Sequence, residues 1–403
     1  MEWARRESPL ALLPNQRPPV KVGAGAAVEP FRVMDVITRA NARARALPAG
    51  APAVLRMEVG QPGTDLPEGA RVAVERALRS GAVMGYTEAL GRLSLRERIS
   101  AHILDWYGVR VSPARIAVTF GASGAFPLAY LAAFDPGDRI ALAAPYYPPY
   151  VNIAKALGLA PVILPCGIET GFQPSIAMLE RLDPKPAGLI VASPANPTGS
   201  MLSPEALAAL ARYCHDHDIR LISDEIYHGL TYGKPAASAA QFSDSAIVIN
   251  SFSKYFSMTG WRIGWMVLPE ELVRVVERLA QNFFISAPAL SQVAAEAAFD
   301  CHEELQANRA QYVTARGLMV DGLNAAGLDK FSAPDGAFYI YADIGDRAAD
   351  SAAFCARLLD EQAIAATPGD DFDAERGGRF FRLSYCAALP QIKEAVTRIC
   401  RIR

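Results

Sequence analysis

The sequence predicts an α/β protein: a mostly parallel, mixed sheet lies between helices, and a smaller α+β part follows it. Three observations carry this reading. Short apolar runs at Arg115–Phe120, Arg139–Ala143, Gly188–Ala192, Arg220–Ser223, Ala246–Asn250 and Ile263–Leu268 alternate with helical patterns. Several of these runs are continuous in Ile, Leu and Val, as strands buried on both faces must be. Between Asn250 and Ile263 there are too few residues for a crossover helix and its loops, so the last run is expected antiparallel to its predecessor.

The elements follow in order. Pro9, Pro14, Pro18, Pro19 and Pro30, with the Gly-Ala run Gly23–Ala27, predict an extended N-terminal arm over 1–29 of the kind that lies across a partner subunit. A helical pattern then places Phe31, Met34, Ile37 and Thr38 on one side, until Pro48, Gly50 and Pro52 break it. Between the third and fourth runs, Ser203 reads as an N-cap with Pro204 at the first helical position and Leu207, Leu210 and Ala211 facing inward. After about residue 300 a long helix runs through Leu323. Strand-like Gly336–Ala342, helix-like Ser351–Gln362, strand-like Phe380–Ser384 and a last helix from Pro390 complete the chain. The expected division is a large domain over 58–300 and a small domain made of 30–57 and 301–403.

Composition narrows the function. The 403 residues are 51% hydrophobic and 20% charged, with a formal net charge of −2. The densest basic stretch, Arg39 to Arg45, is a short amphipathic piece, which argues against nucleic acid as a partner. No window approaches the ~20 apolar residues of a membrane span. Arg5-Arg6 followed by Leu10 to Leu13 is too short for an export signal and is ended by Pro14. The cysteines, Cys166, Cys214, Cys301, Cys355, Cys386 and Cys400, form no CxxC pair, and no His stands at metal-ligand spacing, so reduced thiols, a cytoplasmic location and no metal are expected.

In open α/β sheets ligands bind beyond the carboxyl ends of the strands, so the residues after each run are the candidates. After the first comes Gly121-Ala122-Ser123-Gly124, a small-residue turn that opens a helix and can offer N–H groups to a phosphate, or can serve packing alone. After the third, Ser193 to Gly199 presents the amide of Asn196 from a loop stiffened by Pro194 and Pro197. After the fourth, Asp224-Glu225-Ile226-Tyr227 puts carboxylates and a phenol at the mouth of an apolar sheet, where an unpaired charge is costly and a structural ion pair is the plain alternative. After the fifth, Ser251-Phe252-Ser253-Lys254 places an amine where burial lowers its pKa, as a Schiff-base lysine requires, with Arg262 eight positions on. An isolated lysine there would snorkel to solvent. Four such groups at the ends of the first, third, fourth and fifth runs are not a chance arrangement.

These residues closely resemble the class I/II aminotransferases of the fold-type I pyridoxal phosphate enzymes, from about residue 30 to the C-terminus. The resemblance rests on Asn196-Pro197-Thr198-Gly199, Asp224-Glu225-Ile226-Tyr227, Ser251-Phe252-Ser253-Lys254 with Gly260-Trp261-Arg262-Ile263-Gly264, and Arg382-Leu383-Ser384. It implies a seven-stranded sheet in the large domain, pyridoxal 5′-phosphate as cofactor, and amino-group transfer between an L-amino acid and a 2-oxo acid by a ping-pong mechanism.

The roles it implies are specific. Lys254 holds the cofactor as a Schiff base and later shuttles the proton, Asp224 pairs with the ring nitrogen, and Tyr227 and Asn196 bond the ring oxygen. Gly121, the N–H groups of Ala122 and Ser123, the hydroxyls of Ser251 and Ser253, and Arg262 hold the phosphate, while Tyr147 stacks on the ring. Arg382 takes the substrate α-carboxylate beside Gly60, which can draw the small domain shut, and Tyr86 reaches the phosphate of a partner subunit, which implies a homodimer. Two alternatives stay open: a lyase on the same scaffold, of the carbon–sulfur β-lyase or cyclopropane-carboxylate synthase type, and a regulatory module. The run Thr259 to Gly264 looks more like the aminotransferase branch, and about thirty residues before the domain are too few for a DNA-binding unit. Gln281, Asn282, Phe283 and Phe284 are candidates for the side-chain pocket, and neutral or aromatic substrates are favoured over aspartate.

Overall fold

The computed structural model describes residues 21–48, 50–81 and 83–402. The first twenty positions of the expected arm lie outside the described residues. The main sheet has seven strands: β1 Ile116–Thr119, β2 Arg139–Ala144, β3 Ala160–Pro165, β4 Gly188–Ala192, β5 Arg220–Asp224, β6 Ile247–Ser251 and β7 Gly264–Val267. Their spatial order is β1-β7-β6-β5-β4-β2-β3. Both pairings of β7 are antiparallel and the other four are parallel, as the short link before Ile263 required.

Strand β3 went unread in the sequence, and its position explains why. It is one of the two edge strands, half-exposed along its length and bearing Pro161 and Pro165. Proline is tolerated where one side of the ladder is open, so this strand carries neither a buried apolar run nor clean alternation. The opposite edge strand β1 and the central strands β4 to β7, by contrast, are buried almost throughout.

The helices obey local rules. Pro204–Asp216 begins at Ser203, whose side chain accepts the Ala206 N–H at 3.2 Å, and buries Leu207, Leu210, Ala211 and Cys214. Helix Ser351–Gln362 is capped by Asp350, which accepts the Ala353 N–H at 2.8 Å. The first helix, Val33–Ala46, departs from the expected face: Val33 and Ala40 are buried, whereas Met34 and Thr38 face solvent. Phe31 lies before this helix rather than on it, so counting its period from Phe31 rotated the assigned face.

The chain after residue 300 forms the long helix His302–Ala325 and a second, antiparallel sheet. In that sheet Phe380–Ser384 lies between Thr367–Pro368 and Tyr339–Asp343. Leu55–Arg56 pairs with Ile364–Ala365, which ties the N-terminal and C-terminal segments together. The described part of the arm makes one turn at Ala24–Ala26, and beyond it the Glu29 carbonyl accepts the Asn152 side chain at 3.2 Å, in the chain's own helix Pro149–Ala156.

Candidate active site

The carboxyl ends of β1, β4, β5 and β6 converge on one cavity of about 440 Å³, closed on its far side by the second sheet and the first helix. Its floor is polar. Asp224, the last residue of β5, is 3% exposed; burial lifts its carboxyl to about 6, against hydrogen bonds donated by the Tyr150 hydroxyl and, at 3.1 Å, by the Ile226 N–H. Lys254, three residues after β6, donates from Nζ to the Gly60 carbonyl at 2.6 Å. Burial lowers its amine to about 8, with Arg382 and Arg262 acting in the same direction and Cys386 and Asp224 opposing.

Three walls complete the site. In the first, helix Gly121–Ala133 starts without a side-chain cap, so its first N–H groups point free toward the cavity, where Ala122 and Ser123 lie. Arg262 reaches the same point, with Nη2 at 3.4 Å from the Ser123 hydroxyl. Gly121 has φ +65°, and a Cβ there would stand 2.9 Å from Arg262 Nη2, so a side chain would push the guanidinium away. Ser253 lines the cavity, while Ser251 stands behind it and donates to the Ser253 hydroxyl at 2.9 Å. Uncapped helix end, hydroxyls and guanidinium together make an anion cradle.

The second wall holds Arg382, in the middle strand of the small sheet. Nη1 donates to Asn196 Oδ1 at 2.8 Å and Nη2 to the Glu58 carbonyl at 2.6 Å, while Nε is buried without a partner. The guanidinium carbon lies 4.6 Å from the Tyr339 ring centroid and 4.8 Å from that of Phe372. Tyr339 also shares a hydrogen bond with the Tyr227 hydroxyl at 2.8 Å. Gly60 is required here, because a Cβ would meet the Tyr339 hydroxyl at 1.8 Å. The third wall is apolar, formed by Phe31, Val33, Ile37, Tyr147 and Ile153.

A family model described as aminotransferase class I and II matches residues 52–399. The chain belongs to this family. It is 47% identical over 383 residues to the valine–pyruvate aminotransferase of Mycobacterium tuberculosis, covering 94% of this chain and 97% of the relative. The crystal structure of an aminotransferase from Mycobacterium tuberculosis superposes with a TM-score of 0.91 at 47% identity, covering 94% of this chain and 98% of that one. Thermus thermophilus aspartate aminotransferase with maleate gives a TM-score of 0.89 at 30% identity over 95% of this chain and 100% of that one. The protein is a pyridoxal phosphate-dependent aminotransferase acting on amino and 2-oxo acids, and the lyase and regulatory readings give way to this one.

The residues present fit pyridoxal phosphate. The anion cradle suits its phosphate, the buried carboxylate of Asp224 makes no salt bridge among the described residues, and Lys254 offers an amine of lowered basicity. Of the residues singled out in the sequence, Gly60, Ala122, Ser123, Tyr147, Asn196 and Asp224 line this single cavity, as do Tyr227, Ser253, Lys254, Arg262 and Arg382. Tyr86 stands apart at 82% exposure. Gln281, Asn282, Phe283 and Phe284 do not line the cavity: they end the helix Glu270–Phe283, and Phe284 packs on Phe120 at 5.0 Å.

Sequence reasoning gave Tyr150 no role. Its spacing of three from Tyr147, at the start of a helix, was the available signal that both face one site. Because its hydroxyl donates to the Asp224 carboxylate, Tyr150→Phe is expected to raise the Asp224 pKa and lower kcat about tenfold, the worth of one charge-assisted hydrogen bond of ~1.5 kcal/mol. The acid limb of the kcat–pH profile should move to higher pH; a limb that stays in place would show that Tyr150 only packs. Glu225, by contrast, turns from the cavity to accept the Ser223 hydroxyl at 2.9 Å and the Ala239 N–H at 2.8 Å, and its neighbour His228 is bound by Tyr107 and Ser193.

Proposed function

We propose that this aminotransferase takes the amino group of a neutral aliphatic amino acid such as valine and passes it to a small 2-oxo acid such as pyruvate. The apolar wall of Phe31, Val33, Ile37 and Ile153 carries this reading. The cationic side chains among the described lining residues are Lys254, Arg262 and Arg382, each already engaged in the cofactor and α-carboxylate roles, so an acidic side chain would be left unpaired against apolar surface. The name of the Mycobacterium tuberculosis relative supports the same substrate pair.

In this reading, bound pyridoxal phosphate supplies a ring that takes up the electron pair left when the substrate Cα proton departs. The chain does the rest. Lys254 Nζ receives the Cα proton and returns it at cofactor C4′, and Asp224 holds its charge against the ring nitrogen. Tyr227 and Asn196 would bond the ring oxygen, Tyr147 would cover the ring face, and Ala122, Ser123, Ser253 and Arg262 would hold the phosphate, with Gly121 leaving room for the guanidinium and Ser251 supporting Ser253. Arg382 grips the α-carboxylate beside Gly60 in a bidentate pair.

A homodimer is proposed on an exposed apolar patch. Val83 and Tyr86 are 92% and 82% exposed, Phe283 and Ile285 are exposed beside them, and the Thr87 N–H bonds the Ser286 hydroxyl at 3.3 Å to join the two segments. Tyr86 in this arrangement serves the partner's phosphate. The division into a large domain over 58–300 and a small one over 30–57 and 301–403 is supported by the separate sheets: the seven-stranded one lies within 116–267, and the two-stranded and three-stranded ones are built from 55–56 and 339–384. The cysteines are free, which favours a cytoplasmic location, and no described helix is long and apolar enough to cross a membrane.

The test is the half-reaction. The visible absorbance of the holoenzyme should bleach with valine and return with pyruvate, and kcat/KM for aspartate should be lower by at least about 100-fold. Aspartate equal to or better than valine would overturn the substrate assignment.

A further inference from the structure

We propose that Asp371 is a positioning residue for substrate selection: it caps the helix Val33–Ala46 from across the fold and so ties the apolar wall to Arg382. The inference rests on the reading of that wall as the side-chain pocket.

The helix begins without a cap of its own, since Arg32 at its N-cap has helical backbone angles and makes no capping bond. Its first N–H groups need acceptors from elsewhere. Asp371 supplies them: Oδ1 accepts the Arg32 N–H at 3.0 Å and Oδ2 the Val33 N–H at 3.3 Å. The neighbouring Asp370 pairs with the Arg32 guanidinium. A capping side chain accepts from the N–H two or three residues after it, so a Ser or Asp at position 30, where Pro30 stands, would reach the same groups locally, and capping alone does not call for a carboxylate 338 positions away, buried to 8% exposure. What the distant cap adds is a mechanical tie.

That tie has three ends. Val33 and Ile37, in the first two turns of the capped helix, line the cavity, and Phe31 just before it meets Tyr147 edge-on with ring centroids 5.9 Å apart. Phe372, next in sequence to Asp371, lies with its ring 4.8 Å from the Arg382 guanidinium carbon. The Phe372 carbonyl accepts the Tyr146 N–H at 3.0 Å, which joins the loop to the Tyr147 wall. A carboxylate held by Arg382 therefore fixes Phe372, and through Asp371 fixes the distance from that carboxylate to Val33 and Ile37. On this proposal a branched side chain gains contact with Val33 and Ile37 that a methyl does not make.

The experiment uses the holoenzymes of Asp371→Ala and Asp371→Asn, with kcat and KM for valine and for alanine, and amide hydrogen exchange across residues 31–46. Asp371→Ala should raise KM for valine about tenfold with kcat changed by less than about threefold, while KM for alanine moves little, so the preference for valine falls. Exchange at the start of the helix should accelerate by a similar factor. Asp371→Asn keeps one acceptor oxygen and should fall between. If both variants keep the wild-type valine-to-alanine preference and wild-type exchange while only Tm drops, the cap is structural and the proposal is wrong. If Asp371→Ala does not fold, the same two readouts on Asp371→Asn decide. Wild-type enzyme that rejects valine would sink the substrate assignment, whereas exchange at the helix start would still judge the tie.

Discussion

Lys254→Ala is expected to lose transamination almost completely, with kcat reduced at least ~10⁴-fold, because one amine is asked both to link the cofactor and to move the proton at Cα. The variant should still fold, since the hydrogen bond it loses is the one from Nζ to the Gly60 carbonyl. It should also retain affinity for the cofactor through the cradle of Ser123, Ser253 and Arg262. The wild-type amine has a second signature. Burial holds it at about 8, below the ordinary lysine value of 10.5, and the neutral amine is the nucleophile. Its reactive fraction therefore grows as pH rises and reaches half near pH 8. Cofactor capture by the apoprotein, followed by the appearance of visible absorbance, should climb through that pH; a midpoint near 10.5 would mean that the amine is not desolvated, and measurable turnover by Lys254→Ala would remove it from the mechanism.

Asp224→Ala and Asp224→Asn should both lower kcat by roughly 10²–10³-fold, the scale seen when one preorganised electrostatic contact is removed from a reacting group. The pair of variants separates charge from shape. Asn keeps the volume and can still accept the Tyr150 hydroxyl, but it carries no negative charge to set against a protonated ring nitrogen. If charge is what matters, Asn is nearly as poor as Ala, and cofactor dissociation, measured by dialysis, changes far less than kcat. An Asn variant within about threefold of wild type would assign Asp224 a packing role instead. The sign of its pKa agrees with the first outcome: burial raises the carboxyl to about 6, so its ionised form is costly alone and is stabilised by a cation brought beside it. At about 6 it is still mostly ionised at neutral pH, and its charge would then favour a protonated ring nitrogen in the bound cofactor.

Much of the site was legible in the sequence because it is built from strand ends. A strand buried on two faces announces itself as an apolar run, and the residues that follow it must emerge at one edge of the sheet. Asn196, Asp224, Ser253 and Lys254 were readable in this way, as was the cap Ser203, since both inferences depend on a few neighbouring residues. Strand β3 was not readable, because an edge strand with Pro161 and Pro165 obeys neither apolar pattern. The true face of Val33–Ala46 was not readable either, because its start is set by Asp371 and not by any residue nearby.

Sequence alone thus determined the type of sheet, the order of its strand ends and the chemical groups each end carries. Only the tertiary structure decided which groups meet. Tyr150 finds Asp224 across 74 positions, Tyr227 finds Tyr339 across 112, Arg382 finds Asn196 across 186, and Asp371 reaches Val33 across 338. The physical reason is that periodicity reports which side of an element faces inward, a local property of the backbone. What stands opposite that side depends on how whole elements pack, and that is decided by the summed burial of the core rather than by any one segment of the chain.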